Sequence, residues 1–337
     1  MAEYQRILLS RLRFVGDIVL TTPVIRSVRA ACPEARIAYL GDRHAVSLLQ
    51  GNPHLNEIIP YDFSRPAALE QARVAWLLRR RGFDLAIDMF NNPRSALLTY
   101  ATGARVRVGL ERRGRGMLYT LRVRDDGRPK TPVEFYGQFL LAAGISPSAA
   151  ATELFLAADE RASIQALLPE GTAPLIGIHP GATWPAKRWP AERFADLADR
   201  LAGSGYRVVI TAGPGESDVI RRLLNASGSA PHVLPLVPLR ALAAAISRCS
   251  VFVSNDAGPM HIAAALGVPT VGIFGPGEEN IWFPYDPALG HTALRRDVPC
   301  HPCHLDFCPR PGDGYMECMK LLSVDEVEAA VERGLLF

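Results

Sequence analysis

Four places in this chain of 337 residues combine residue types and spacings that could do chemistry. The first is Ser254-Asn255-Asp256-Ala257-Gly258-Pro259-Met260-His261, between a short apolar run, 251–254, and an apolar helical run that Pro259 opens and Gly267 closes. Proline just inside a helix and glycine just past its end are the expected punctuation. A second apolar run, 268–274, ends at Gly275-Pro276-Gly277. Strand, short helix and strand so closely spaced read as a parallel βαβ unit. The helix start then lies at the carboxyl edge of a sheet, with free N–H groups and the positive dipole end, an anion site suited to phosphate or diphosphate. Taken alone, Asp256 reads equally well as a cap and His261 as a satisfied core histidine.

The second place is Gly16-Asp17, between a strand over 7–12 and a helical stretch over 18–31 in which Pro23 marks a kink or the true first turn. This again puts a carboxylate at a sheet's carboxyl edge, where α/β proteins hold ligands, although an N-cap accounts for the same residue. The third is Cys300, Cys303, Cys308 and Cys318, spaced Cys-x2-Cys-x4-Cys-x9-Cys with His301 and His304 between them. Four thiolates could hold one structural zinc; reduced cysteines in a packed loop and a disulfide are the other readings. The fourth is a basic stretch, 101–130, with nine basic residues, among them Arg105, Arg107, Arg112 and Arg113, against three acids. It is either a solvated face or a surface for an anionic partner. Tyr119 is its only aromatic residue, which argues against single-stranded nucleic acid.

The elements that must position these residues alternate. Strands are expected over 7–12, 36–41, 57–61, 84–89 and 105–110, with helices over 42–50, 66–81 and 132–143, then a linker within 144–173. A second series has strands over 175–179, 207–212, 251–254 and 268–274, with helices over 191–202, from the 213–216 turn through 226, and over 238–248. Ser323 and Glu326 form a capping box for a last helix through about 334. Such alternation argues for doubly wound parallel sheets. The length fits two domains better than one, and 48% hydrophobic with 21% charged residues describes an ordinary globular protein. There is no 18-residue apolar run, and the arginine-interrupted start does not read as a signal peptide. The expected compartment is therefore the cytoplasm, with the six cysteines reduced.

HPGATWPAKRWP (179–190), TAGPGE (211–216), SNDAGPMHIAAALGVPTVGIFGP (254–276) and VGDIVLTTPVIRSVRAACP (15–33) occur in an order that resembles the glycosyltransferase family 9 heptosyltransferases over nearly the whole chain. The resemblance implies an α/β, GT-B fold: two Rossmann-like doubly wound domains facing across a cleft. An acceptor domain would span 1–150, a nucleotide-sugar domain 171–320, and a C-terminal helix, 321–337, would pack back on the first domain. It further implies inverting transfer of heptose from ADP-L-glycero-D-manno-heptose to the Kdo/heptose inner core of lipopolysaccharide. Asp17 would be the general base, and Thr183, Lys187, Glu216, Asp256, Ala257, Gly258 and His261 would bind the donor. Lys187 would neutralise the leaving diphosphate, so that catalysis requires no metal or other cofactor. Many members have Thr or Ser where this chain has Ala257, which removes one hydroxyl contact to phosphate but leaves the backbone contribution. The arginines at 105, 107, 112 and 113 would meet an anionic glycolipid acceptor, with peripheral contact to the inner face of the cytoplasmic membrane and no nucleic acid. The alternatives are a GT-B transferase with another nucleotide sugar and, from a different class, a non-enzymatic zinc-knuckle module that binds nucleic acid.

Overall fold

The structure is a computed structural model that describes residues 4–148 and 150–337. Met1–Glu3, part of the amino-terminal stretch considered above, and Ala149 of the linker lie outside the described residues. The chain divides into two compact units, Met1–Phe155 and Leu156–Phe337.

The first unit carries β1 (Arg6–Ser10), β2 (Arg36–Asp42), β3 (Glu57–Tyr61), β4 (Leu85–Asp88), β5 (Val106–Leu110) and β6 (Leu121–Val123). They pair in the order β3-β2-β1-β4-β5-β6, with every ladder parallel. The second unit carries β7 (Leu175–His179), β8 (Arg207–Ile210), β9 (His232–Val233), β10 (Val251–Asn255), β11 (Thr270–Ile273) and β12 (Thr292–Leu294), in the order β12-β11-β10-β7-β8-β9 and again all parallel. Counted within its own unit, each sheet has the doubly wound order 3-2-1-4-5-6. Its switch point, where such folds bind ligands, lies between the first and fourth strands. The central strands are buried along their length, as parallel strands covered by helices on both faces must be.

The expected 18–31 helix is two helices, Val15–Val19 and Thr22–Ala31, with Pro23 in the first turn of the second, where its missing N–H costs nothing. In place of a helix over 42–50 there is a short 3-10 turn, Ala45–Leu49, which Asp42 caps by accepting the N–H groups of His44 and Ala45. The edge strands β6, β9 and β12 and the helix Ala158–Ser163 were not expected. The last helix, Val324–Gly334, starts at the Ser323/Glu326 capping box. Its apolar stripe, Val324, Val327, Ala330 and Val331, is buried with Ile176, Val251 and Val271 in the core of the second unit. That face packs against the second sheet. No helix among the described residues is long and apolar enough to cross a membrane.

Candidate active site

In the first unit the chain leaves β1 through Arg11 and enters the helix Val15–Val19, placing Asp17 just beyond the switch point between β1 and β4. Asp17 Oδ2 accepts the N–H of Phe14 at 3.0 Å, as a capping-box residue does. Its Oδ1 accepts from Arg11 Nη2 at 2.6 Å and from the Tyr136 hydroxyl at 3.3 Å. Capping leaves room for chemistry, because a carboxylate offers about four lone-pair directions and three are used here. Arg11 is itself fixed: Nη1 donates to Met89 O at 2.8 Å, and the guanidinium lies 5.0 Å over Phe90 and 5.6 Å over Tyr136. Burial works against its charge, yet its pKa is raised, because the Asp17 carboxylate beside it favours the charged form. Burial likewise pushes the Tyr136 phenol up, so it stays a neutral donor.

In the second unit, the 179–190 loop leaves β7 and is tied to β10 by Asn255. Its side chain accepts the N–H of Trp189 at 3.0 Å and donates to Pro180 O at 2.9 Å and Gly181 O at 3.2 Å. Trp189, 1% exposed, anchors the far end in the core, with Nε1 donating to Leu322 O at 3.1 Å. This bracing delivers Lys187, on the 3-10 turn Pro185–Lys187, to Asp256 at the carboxyl end of β10. Nζ and Oδ2 are 2.5 Å apart and both side chains are largely buried; the ammonium also sits 4.5 Å over the Trp184 ring. A Cβ on Gly277 would lie 3.0 Å from Asp256 Oδ2, so the turn after β11 closes tightly on the same pair.

Ala257 is the N-cap of the helix Gly258–Ala265, and among the described residues the N–H groups of Ala257 and Gly258 have no acceptor. Two free donors, a helix dipole and an ammonium therefore converge at the second sheet's switch point. His261, in the second turn of that helix, is buried, and its Nδ1 bonds to the Tyr285 hydroxyl at 2.6 Å. Glu216 is not a simple dipole partner of its own helix. Its carboxylate turns back to accept the N–H of Gly213 at 2.6 Å, faces His179 Nε2 at 3.5 Å, and lies 2.1 Å from where a Cβ on Gly181 would be. His179 is buried at the end of β7, with Nδ1 against Thr211 Oγ1 at 3.1 Å. Burial holds its pKa below the usual histidine value, and Glu216 only partly offsets this.

The remaining candidates are spread out. Thr183 is exposed on its loop and has no hydrogen bond among the described residues. Arg105, Arg112 and Arg113 are exposed, while Arg107 donates to Leu118 O and Ala104 O and so braces the basic segment. All four cysteines of the cluster are free, and among the described residues no three His, Cys, Asp or Glu groups are arranged to hold a metal ion. Burial, then the neighbouring thiols, push Cys318 up to about 11. The segment packs as a brace: Asp306 O accepts from Ala186 N and Pro276 O from His304 N, both at 3.0 Å, and His301 Nε2 meets Gly277 O at 2.9 Å. It thereby supports the two turns that flank the Lys187–Asp256 pair. Arg11, Tyr136, Asn255, His179 and Tyr285 were not singled out from sequence. Arg11 stands six residues before Asp17, and His179 and Asn255 lie inside the quoted motifs, so a signal was present for those three.

Comparison with known proteins agrees with this fold. The sequence profile of glycosyltransferase family 9 (heptosyltransferase) matches residues 72–310. Lipopolysaccharide heptosyltransferase 2 of Salmonella typhimurium is 29% identical over 297 residues, covering 83% of this chain and 84% of that protein. The crystal structure of a family 9 glycosyl transferase from Veillonella parvula matches with a TM-score of 0.87 at 26% identity, over 99% of this chain and 98% of that one. The structure of E. coli ADP-heptose lps heptosyltransferase II matches with a TM-score of 0.80 at 26% identity, over 98% of both chains.

Proposed function

Because the chain belongs to glycosyltransferase family 9 and has its GT-B fold, we propose that this glycosyltransferase moves heptose from ADP-L-glycero-D-manno-heptose, with inversion, to the Kdo/heptose inner core of lipopolysaccharide. Asp17 takes the proton of the acceptor hydroxyl as its oxygen bonds to the anomeric carbon. The bond from that carbon to the diphosphate breaks, and ADP leaves with the electron pair. The charge that develops is met by Lys187 and by the N–H groups of Ala257 and Gly258. Lys187 can serve both diphosphate and Asp256 because an ammonium has three donors. Glu216 accepts from the ribose hydroxyls, Thr183 adds a hydroxyl to the phosphate, and Asp256 and His261 lie towards the sugar. Arg105, Arg112 and Arg113 meet the anionic glycolipid, which brings the enzyme to the inner face of the cytoplasmic membrane. No metal or other cofactor is part of this reading.

The observation that carries it is the Lys187–Asp256 pair beside unpaired helix N–H groups at the switch point of the second sheet. The zinc-knuckle reading gives neither of these a task. Calorimetric titration with ADP, UDP, GDP and ADP-heptose tests the proposal, which expects ADP and ADP-heptose to bind most tightly. Preference for UDP or GDP would replace the donor, and binding of none would remove the donor site.

A further inference from the structure

Helices Ala67–Arg81 and Pro93–Ala101 lie side by side on one face of the first sheet. Gln71 Nε2 donates to Arg94 O at 3.0 Å near their amino ends, and the Arg79 guanidinium occupies the space beside Gly103, just past the second helix. Val74, Leu78 and Leu98 share a core with Leu8 and Ala86 of the sheet. Two neighbouring helices that bury inward stripes against one sheet must present their outer stripes to the same side. Those outer stripes are unusually apolar. Leu69 is 69% exposed, Trp76 61%, Leu97 52% and Tyr100 55%, and Met117 on the adjoining turn Arg115–Leu118 is 77% exposed. Exposed apolar side chains gathered on adjoining elements in this way mark an interaction surface.

Its charge decides the partner. The two helices carry five arginines and one acid, Glu70, which is buried against Arg73. Arg79 and Arg80 are exposed, Arg80 lies 4.6 Å over the Trp76 ring, and the next turn adds Arg112 and Arg113. A second copy would set arginine against arginine with no exposed carboxylate on either helix to answer it. Of the two rings on this face, Trp76 is covered by the Arg80 guanidinium and Tyr100 by that of Arg107, and Leu69, Leu97 and Met117 offer nothing for a base to stack on, which disfavours nucleic acid. A bilayer with negative headgroups supplies both anions and an apolar layer within side-chain reach.

We propose that the outer face of these two helices, extended by the Arg115–Leu118 turn, docks on the headgroup layer of an anionic lipid bilayer with Trp76, Leu97 and Met117 inserted. The proposal rests on the functional reading only in that a lipid-linked acceptor brings the enzyme to a membrane. Its test uses neither donor nor acceptor, so the two can fail separately. The full chain is sedimented with vesicles of phosphatidylcholine alone or with roughly one-third phosphatidylglycerol, at low and high salt. Binding only to the anionic vesicles, weakened by salt, is expected. The charge-reversed pair Arg79→Glu/Arg80→Glu should bind at least about tenfold more weakly. Trp76→Ser/Leu97→Ser should also lose binding, with ADP affinity unchanged in both variants. No binding to anionic vesicles, or binding that both variants retain, would overturn the proposal. So would a self-association that the variants abolish while vesicle binding persists.

Discussion

Two sheets with one strand order each carry a carboxylate near the switch point, Asp17 and Asp256, and each carboxylate meets a cation of a different kind. Arg11 is pinned by a main-chain carbonyl and two aromatic rings, so it can only orient Asp17. Lys187 stands on a short turn, on a flexible stem, with its ammonium over one indole ring. A guanidinium fork suits permanent positioning, whereas an ammonium can turn its donors to a new anion without losing the old one. The unit proposed to do proton chemistry thus has a fixed cation, and the unit proposed to receive and release a charged donor has an adaptable one.

This contrast can be broken at several points. The largest effect is expected for Asp17→Asn, which keeps an oxygen for the Phe14 N–H but cannot accept a proton; transfer should fall by about 10²–10⁴-fold in a rate assay. Lys187→Ala should weaken ADP binding and lower kcat by about 10²-fold, since it removes the cation proposed to meet the leaving diphosphate and strands Asp256. Unchanged ADP affinity would remove Lys187 from the donor site. Gly181→Ala sharpens the role of Glu216. The new methyl would sit where the carboxylate now lies, and that side chain can swing away, so the protein should fold while nucleotide affinity drops by roughly tenfold, the worth of one charge-assisted hydrogen bond. Thermal melts at unchanged stability with unchanged affinity would show that Glu216 does not touch the ligand.

The smallest effect separates the units by pH. Burial lowers the pKa of His179 and of His291, both in the second unit. Below about pH 6.5 the unfolded chain takes up protons that the folded unit refuses. The stability from these neutral histidines is therefore complete above that pH and is lost as pH falls through it. The slope is at most about 1.4 kcal/mol per pH unit for each group. Melting followed between pH 7.5 and 5.5 should show the second unit weakening and the slope easing in His179→Gln. Equal sensitivity of the first unit would contradict this assignment.

Much of the architecture was legible because its strongest signals are local. Runs such as Leu175–His179 and Glu57–Tyr61 are bounded by turn residues, and the Ser323/Glu326 box marks a helix start directly. The edge strands were not legible. Leu121–Val123 lies in a stretch dominated by arginine, and His232–Val233 is two residues long, so neither carries a period. Of the site, the turns were readable but the partners were not. Nothing in the spacing between Lys187 and Asp256, or between Tyr136 and Asp17, tells which side chains meet, because those contacts depend on how strands order in the sheet. The repeated strand order was equally hidden, since the two halves share topology without an evident sequence repeat.

The central claim is that the base and the donor site belong to different units, and titration of ADP into Asp17→Asn beside the wild type tests it most directly. The account predicts the same dissociation constant within about twofold, well under the tenfold that 1.4 kcal/mol would give, together with lost transfer. A matching loss of ADP affinity would place Asp17 in the donor site and contradict the division.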